Sequence, residues 1–210
     1  ILDEFTELYE RNSFELTLQW LREYEKRYKK SEYGEIFDNQ EKRSDEVIEP
    51  IKFQIPALYE LSKTREEGYK KAMIVVGTGL GKTYLAVFDS MNFKRVLFIA
   101  HRDEILRGAR NSFESVYRDS RSYGYFNALE KESKKDIVFA SISTLSKVEY
   151  LRDEWFAKDS FDYIVVDEFH HSSSKSYLKV LNYFQPQFLL GLTATPEQTM
   201  EIYINYVITT

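Results

Sequence analysis

The sequence predicts an α/β fold, a parallel sheet with helices on both faces, preceded by a helical extension. Three observations lead there. From Pro50 onward, short apolar runs alternate with longer stretches of helical periodicity. The runs, at 72–76, 95–100, 136–141, 161–167 and 188–193, do not alternate apolar with polar, so each fits a strand buried on both faces. The helical patterns lie between them, near 55–65, 82–92, 103–117, 142–150 and 173–183. In open sheets of this kind ligands bind at the carboxyl ends of the strands, so chemistry is expected just after each run.

Ahead of the alternating region, Phe5, Leu8, Tyr9, Phe14, Leu16, Leu18, Trp20, Leu21 and Tyr24 recur at helical spacing, with a break at Asn12-Ser13. Residues 2–30 are therefore expected to be helical, and the polar stretch 31–50 to be a linker. Arg22, Lys26, Arg27, Lys29 and Lys30 are interleaved with Glu23 and Glu25, the pattern of a solvated face.

Composition narrows the chemistry. The 210 residues are 43% hydrophobic and 30% charged, enough apolar surface for a core. A formal charge of −5 excludes a protein basic all over, though not a local basic strip. The absence of Cys removes disulfide scaffolds, thiolate metal sites and cysteine nucleophiles. No run of 18 apolar residues occurs and no secretory signal precedes the first acidic stretch, so the expectation is a cytoplasmic protein with no membrane partner. The chain begins at Ile1 and stops just after an apolar strand, and is expected to be a piece of something longer.

The first apolar run leads into Gly77-Thr78-Gly79-Leu80-Gly81-Lys82-Thr83 and then a helix. Glycines let a backbone wrap a phosphate, and the amides of the loop and helix start point at it. Lys82 is expected to reach the β and γ phosphates of ATP, and the Thr83 hydroxyl to ligate Mg²⁺. The strict pattern has glycine at position 76, where Val76 stands.

The run Tyr163-Ile164-Val165-Val166 leads into Asp167-Glu168-Phe169-His170-His171. A carboxylate at the end of a buried strand beside a phosphate loop is placed to hold Mg²⁺. Asp167 is assigned that role, and Glu168 the orienting and polarising of the attacking water. Adjacent His170 and His171 point different ways along one segment, so a zinc site is disfavoured.

Gly77–Thr83, Asp167-Glu168-Phe169-His170 and Thr193-Ala194-Thr195, in this order and spacing, resemble the first RecA-like lobe of superfamily 2 helicases and translocases. The resemblance covers roughly residues 48–196 and implies a P-loop NTPase. That family's loop often carries a non-glycine at the place of Val76. Within it the Asp-Glu-x-His branch, with type I and type III restriction motor subunits and DEAD/DEAH-like helicases, is the nearest match. Phe53-Gln54 resembles the adenine-reading glutamine motif, and a Gln54 amide can donate and accept together. The stretch 95–106 resembles a motif whose Arg102 and nearby amides face nucleic-acid phosphates. The stretch 139–145 resembles a second backbone-contacting motif, carried here by Ser143 and Thr144, with serines at 141 and 143 where the family often has Thr and Gln. Thr193 and Thr195 would link the nucleotide site, through His170, to nucleic acid.

The resemblance therefore implies ATP and Mg²⁺ as cofactors, nucleic acid as partner, with DNA favoured over RNA, and a second RecA-like lobe missing from this chain. That lobe would supply an arginine finger worth about 10³–10⁵ in rate, so these 210 residues alone are expected to hydrolyse ATP very slowly. Alternatives are the motor portion of a restriction endonuclease, a P-loop ATPase that does not act on nucleic acid, and a binding module with a dead site. Intact Lys82, Thr83, Asp167 and Glu168 weigh against the last, and Thr193-Ala194-Thr195 against the ATPase without nucleic acid.

Residues 197–210 depart from the family pattern. Met200–Thr210 can be back-translated as an out-of-frame reading of Asp-Gly-Asp-Ile-Tyr-Lys-Leu-Cys-Asp-Asn-Asn. The expectation is a one-base deletion near codon 199 that ended a longer motor. The predicted organisation is thus 1–47 extension and linker, 48–196 ATP-binding lobe, and 197–210 frameshifted or truncated tail.

Overall fold

The structure, a computed structural model, describes residues 48–51, 54–76, 79–168, 174–194 and the backbone of 205–208. The expected helices of 2–30 and the linker up to residue 47 lie outside the described residues.

The described elements run in chain order as α1 (Gln54–Glu66), β1 (Lys71–Val75), α2 (Lys82–Asp89), β2 (Val96–Ala100), α3 (Asp103–Tyr117), β3 (Tyr123–Phe126), β4 (Ile137–Ser141), α4 (Ile142–Leu145), β5 (Tyr163–Val166), α5 (Lys175–Tyr183), β6 (Phe188–Thr193) and β7 (Asn205–Ile208). The strands form one seven-stranded sheet in the order β3-β4-β2-β5-β6-β1-β7, and every named pairing is parallel.

Alternation within each strand explains the absence of polar positions in the central runs. On one face, Ala72, Ile74, Phe98, Phe139, Val165 and Leu190 pack with Leu61 of α1, Leu85 of α2 and Phe113 of α3. On the other, Met73, Leu97, Ile99, Val138, Ile164 and Leu189 pack with Tyr177 and Val180 of α5 and with Phe156 and Phe161. Every residue of β2, β4, β5 and β6 is buried, as a strand covered on both sides requires.

Two elements differ from expectation. The helix expected over 142–150 stops at Leu145, and residues 147–155 form turns that return Tyr150 and Trp155 to the Phe126 ring, with centroids 5.0 and 5.7 Å away. A continued helix would carry those rings away from the core. The strand Tyr123–Phe126 was not expected. It is four residues long and lies at the edge of the sheet, with Tyr123 and Tyr125 only half-buried.

At the amino-terminal edge of the strands, α1 and α2 are tied by a buried ion pair. Arg65 Nη2 lies 2.8 Å from Asp89 Oδ1, and Arg65 Nη1 donates to Asp89 Oδ2 at 2.9 Å. The Tyr163 hydroxyl donates to the same carboxylate at 2.6 Å. Burial raises the Asp89 pKa, and the arginine and the tyrosine hydroxyl pull it back. The Arg65 guanidinium also lies over the Phe188 ring at 4.9 Å.

Candidate functional site: a phosphate loop beside an acidic strand end

The loop between β1 and α2 is shaped by glycine. Gly79 and Gly81 have φ of +79° and +88°, where a side chain is strained. Helix α2 opens on Gly81 with no side-chain cap, an arrangement that suits its first amides to an external acceptor such as a phosphate. Lys82 is the first residue of that helix, and its Nζ donates to the Val76 carbonyl at 3.1 Å, folded back on its own loop. Thr83 follows, half-buried, and Leu80 is exposed. Gly77 and Thr78 lie outside the described residues.

Gln54 is buried against this loop. Its Oε1 accepts from the Ile51 amide at 3.0 Å, and its Nε2 donates to the Gly81 carbonyl at 3.1 Å. The side chain thereby joins the start of α1 to the start of α2. Phe53, its expected companion, lies outside the described residues.

The acidic pair follows β5. The Asp167 amide donates to Ile99 O at 2.9 Å, which extends the pairing with β2 by one residue. Asp167 Oδ1 then accepts from the Glu168 amide at 3.0 Å. Burial raises the Asp167 pKa, while the Glu168 amide and the Lys82 charge lower it. Lys82 and Asp167 thus act on one another although their strands are separated by β6. A desolvated carboxylate near a lysine charge suits a divalent cation, because Mg²⁺ is commonly held by one or two carboxylates together with substrate phosphates. Glu168 has φ of +54°, a left-handed backbone that costs a non-glycine residue about 1–3 kcal/mol.

Two neighbours of the acidic pair carried no role in the sequence reading. His101, just past β2, places Nδ1 2.6 Å from Glu168 Oε2, within ion-pair distance. Tyr177 of α5 is buried with a hydroxyl that has no hydrogen-bond partner, and burial and the charges of Glu168 and Asp167 raise its pKa. A tyrosine on an amphipathic helix reads as core, so the sequence offered no signal for it. His101 stands at a strand end, which was a signal.

The expected nucleic-acid residues lie at the same ends of their strands. Arg102 is exposed and immediately precedes α3. Ser143 is exposed, with Oγ 3.0 Å from Ser141 Oγ. Thr144 faces the core instead, and its Oγ1 accepts from Ser141 at 3.3 Å. Thr193 is buried at the end of β6, paired in register with Val75, and its carbonyl accepts from the Val76 amide at 2.9 Å. His170 and Thr195 lie outside the described residues. No helix among the described residues is long and apolar enough to cross a membrane.

Residues 47–198 match the family described as "Type III restriction enzyme, res subunit". A type I restriction enzyme EcoAI endonuclease subunit from Escherichia coli is 26% identical over 162 residues, covering 73% of this chain and 20% of that protein. L396 of Acanthamoeba polyphaga mimivirus, named as a proposed ATP-dependent RNA helicase, is 29% identical over 146 residues, covering 67% of this chain and 26% of its own length. Among solved structures, the Sulfolobus solfataricus SWI2/SNF2 ATPase core in complex with dsDNA superposes with a TM-score of 0.53 at 20% identity, covering 69% of this chain and 31% of that one. The chain thus spans about a fifth to a quarter of the length of these two relatives.

Proposed function

Because the chain belongs to the type III restriction enzyme res subunit family, we propose that it is the ATP-binding lobe of a nucleic-acid helicase or translocase. What supports this reading is that Lys82, first residue of α2, and Asp167, at the end of β5, both follow strands of one parallel sheet and lie near enough for the Lys82 charge to lower the Asp167 pKa, with Glu168 next in the chain. The amides of the Gly79–Thr83 turn receive the phosphates of ATP. Lys82 leaves the Val76 carbonyl to pair with the β and γ phosphates, a stronger acceptor than a neutral carbonyl. Thr83 and Asp167 would hold Mg²⁺, which when bound would neutralise charge developing on the phosphoryl oxygens. Glu168 orients the attacking water and accepts its proton. Gln54 reads the adenine edge from the start of α1, and so senses base and phosphate loop together. Gly77 and Thr78 complete the loop, and His170, Thr193 and Thr195 relay the state of the nucleotide toward nucleic acid.

Nucleic acid crosses the strand ends at Arg102 and Ser143, both exposed, and is held by backbone phosphate contacts rather than base readout. DNA is favoured over RNA, since one relative is a restriction enzyme subunit and the superposed ATPase core is bound to dsDNA. That relative also supports a second reading, in which the lobe drives a restriction endonuclease. In either case a second RecA-like lobe completes the catalytic site, and the 210 residues alone bind nucleotide weakly and unwind nothing.

The test is steady-state ATP hydrolysis, by the chain alone and joined to a second lobe, with single-stranded DNA, duplex DNA and RNA in turn. The expected result is hydrolysis dependent on the second lobe and raised by DNA. Hydrolysis indifferent to every nucleic acid would favour a P-loop ATPase of another kind. Strand separation by the 210 residues alone would contradict the reading.

A further inference from the structure

The 2.6 Å approach of His101 Nδ1 to Glu168 Oε2 has a direction. In the sheet, β2 flanks β5 on one side, and β6 and then β1 on the other. His101 follows β2, whereas the phosphate loop follows β1. A Glu168 carboxylate drawn to His101 is drawn away from the loop where the γ phosphate must lie. Both contacting atoms are shielded from solvent, and Glu168 has a left-handed backbone conformation of the kind found at functional sites. The next residue, Arg102, is exposed at the head of α3, where nucleic acid is proposed to bind.

We infer that His101 is a positioning residue that holds Glu168 in a resting orientation and releases it when nucleic acid engages the Arg102 turn. The inference rests on the ATPase reading given above. It makes the turn after β2 a brake on hydrolysis: without nucleic acid the carboxylate is parked toward β2, and a shift of the turn frees it to swing toward the attacking water. Glu168 remains the catalytic group. In this proposal His101 acts through Glu168.

Single-turnover hydrolysis of Mg-ATP by the chain joined to a second lobe tests this in the wild type and in His101→Ala, His101→Gln, His101→Asn and Glu168→Gln, with nucleotide affinity measured in parallel. Asparagine places an N–H donor near the position of Nδ1, whereas glutamine places it near Nε2. Without nucleic acid, the alanine and glutamine variants are expected to hydrolyse about fivefold faster than wild type at unchanged affinity, a factor equivalent to about 1 kcal/mol. The asparagine variant should fall closer to wild type than to alanine. Duplex DNA should accelerate the wild type more than the alanine variant. An alanine or glutamine rate at or below wild type overturns the brake, as does an asparagine rate equal to alanine. Equal acceleration of both proteins by DNA, or of neither, overturns the release step. If Glu168→Gln leaves the wild-type rate unchanged, the ATPase reading itself falls and the inference with it. The glutamine variant keeps the test open should alanine fail to fold.

Discussion

Gln54 Nε2 donates to the carbonyl of Gly81 at 3.1 Å, across 27 residues of chain, and ties the first turn of α1 to the residue that opens α2. The same contact fixes what position 81 can hold. A Cβ there would stand 2.8 Å from Gln54 Nε2, on a backbone with φ of +88°.

Gly81→Ala should therefore lose both stability and nucleotide affinity. The left-handed backbone alone costs an L-residue about 1–2 kcal/mol, and the glutamine must shift as well. Thermal unfolding and titration with a fluorescent ATP analogue check this. Adding Gln54→Ala should relieve the clash but not the backbone strain, so the double variant remains weaker than wild type. A Gly81→Ala protein equal to wild type in both measurements would show that the loop does not need this geometry.

Arg65→Ala should destabilise the fold by about 3–5 kcal/mol, because it leaves the buried Asp89 carboxylate without its cation. The Tyr163 hydroxyl remains as a donor, so the loss belongs at the lower end of that range. Arg65→Ala combined with Asp89→Asn should recover part of it. Chemical denaturation of the single and double variants measures the coupling, and strictly additive losses would contradict a direct pair.

Asp167 is expected to make the nucleotide-free protein less stable as pH rises. Burial raises its folded-state pKa above the ordinary 3.8, so its contribution is most favourable below 3.8 and is lost as pH rises through the raised value. Asp167→Asn keeps the acceptor for the Glu168 amide and removes the charge. The variant should match wild type in strong acid, gain on it toward neutral pH, and bind Mg-ATP more weakly. Thermal melts across pH without nucleotide check the sign. An advantage that shrinks with rising pH would contradict the assignment.

Much of this organisation was legible in the sequence for a simple reason. Strands buried on both faces leave unbroken apolar runs, and the residues just past them are where a parallel sheet collects its chemistry. Lys82, Thr83, Asp167 and Glu168 each sit one or two positions beyond such a run or at the helix that follows it. The strand Tyr123–Phe126 was not legible, because an edge strand of four residues with two half-exposed tyrosines has no core signature. The contact of His101 with Glu168 could not be read either, since it depends on β2 lying beside β5, and strand order is not written in periodicity. Thr144 sits on the covered side of α4 and accepts from the Ser141 hydroxyl, and the sequence pattern alone does not show which side of that turn is covered.

The most direct measurement of the central claim is Mg-ATP binding by this chain and by its Lys82→Ala variant, followed by calorimetry or a fluorescent analogue. Lys82 now rests on the Val76 carbonyl, and the account requires it to leave that oxygen for phosphate. The wild type should bind measurably and the variant with an affinity at least about tenfold lower, equivalent to about 1.4 kcal/mol, with the melting temperature little changed. Equal affinity in the two proteins, or no nucleotide binding by a folded wild-type chain, would contradict it.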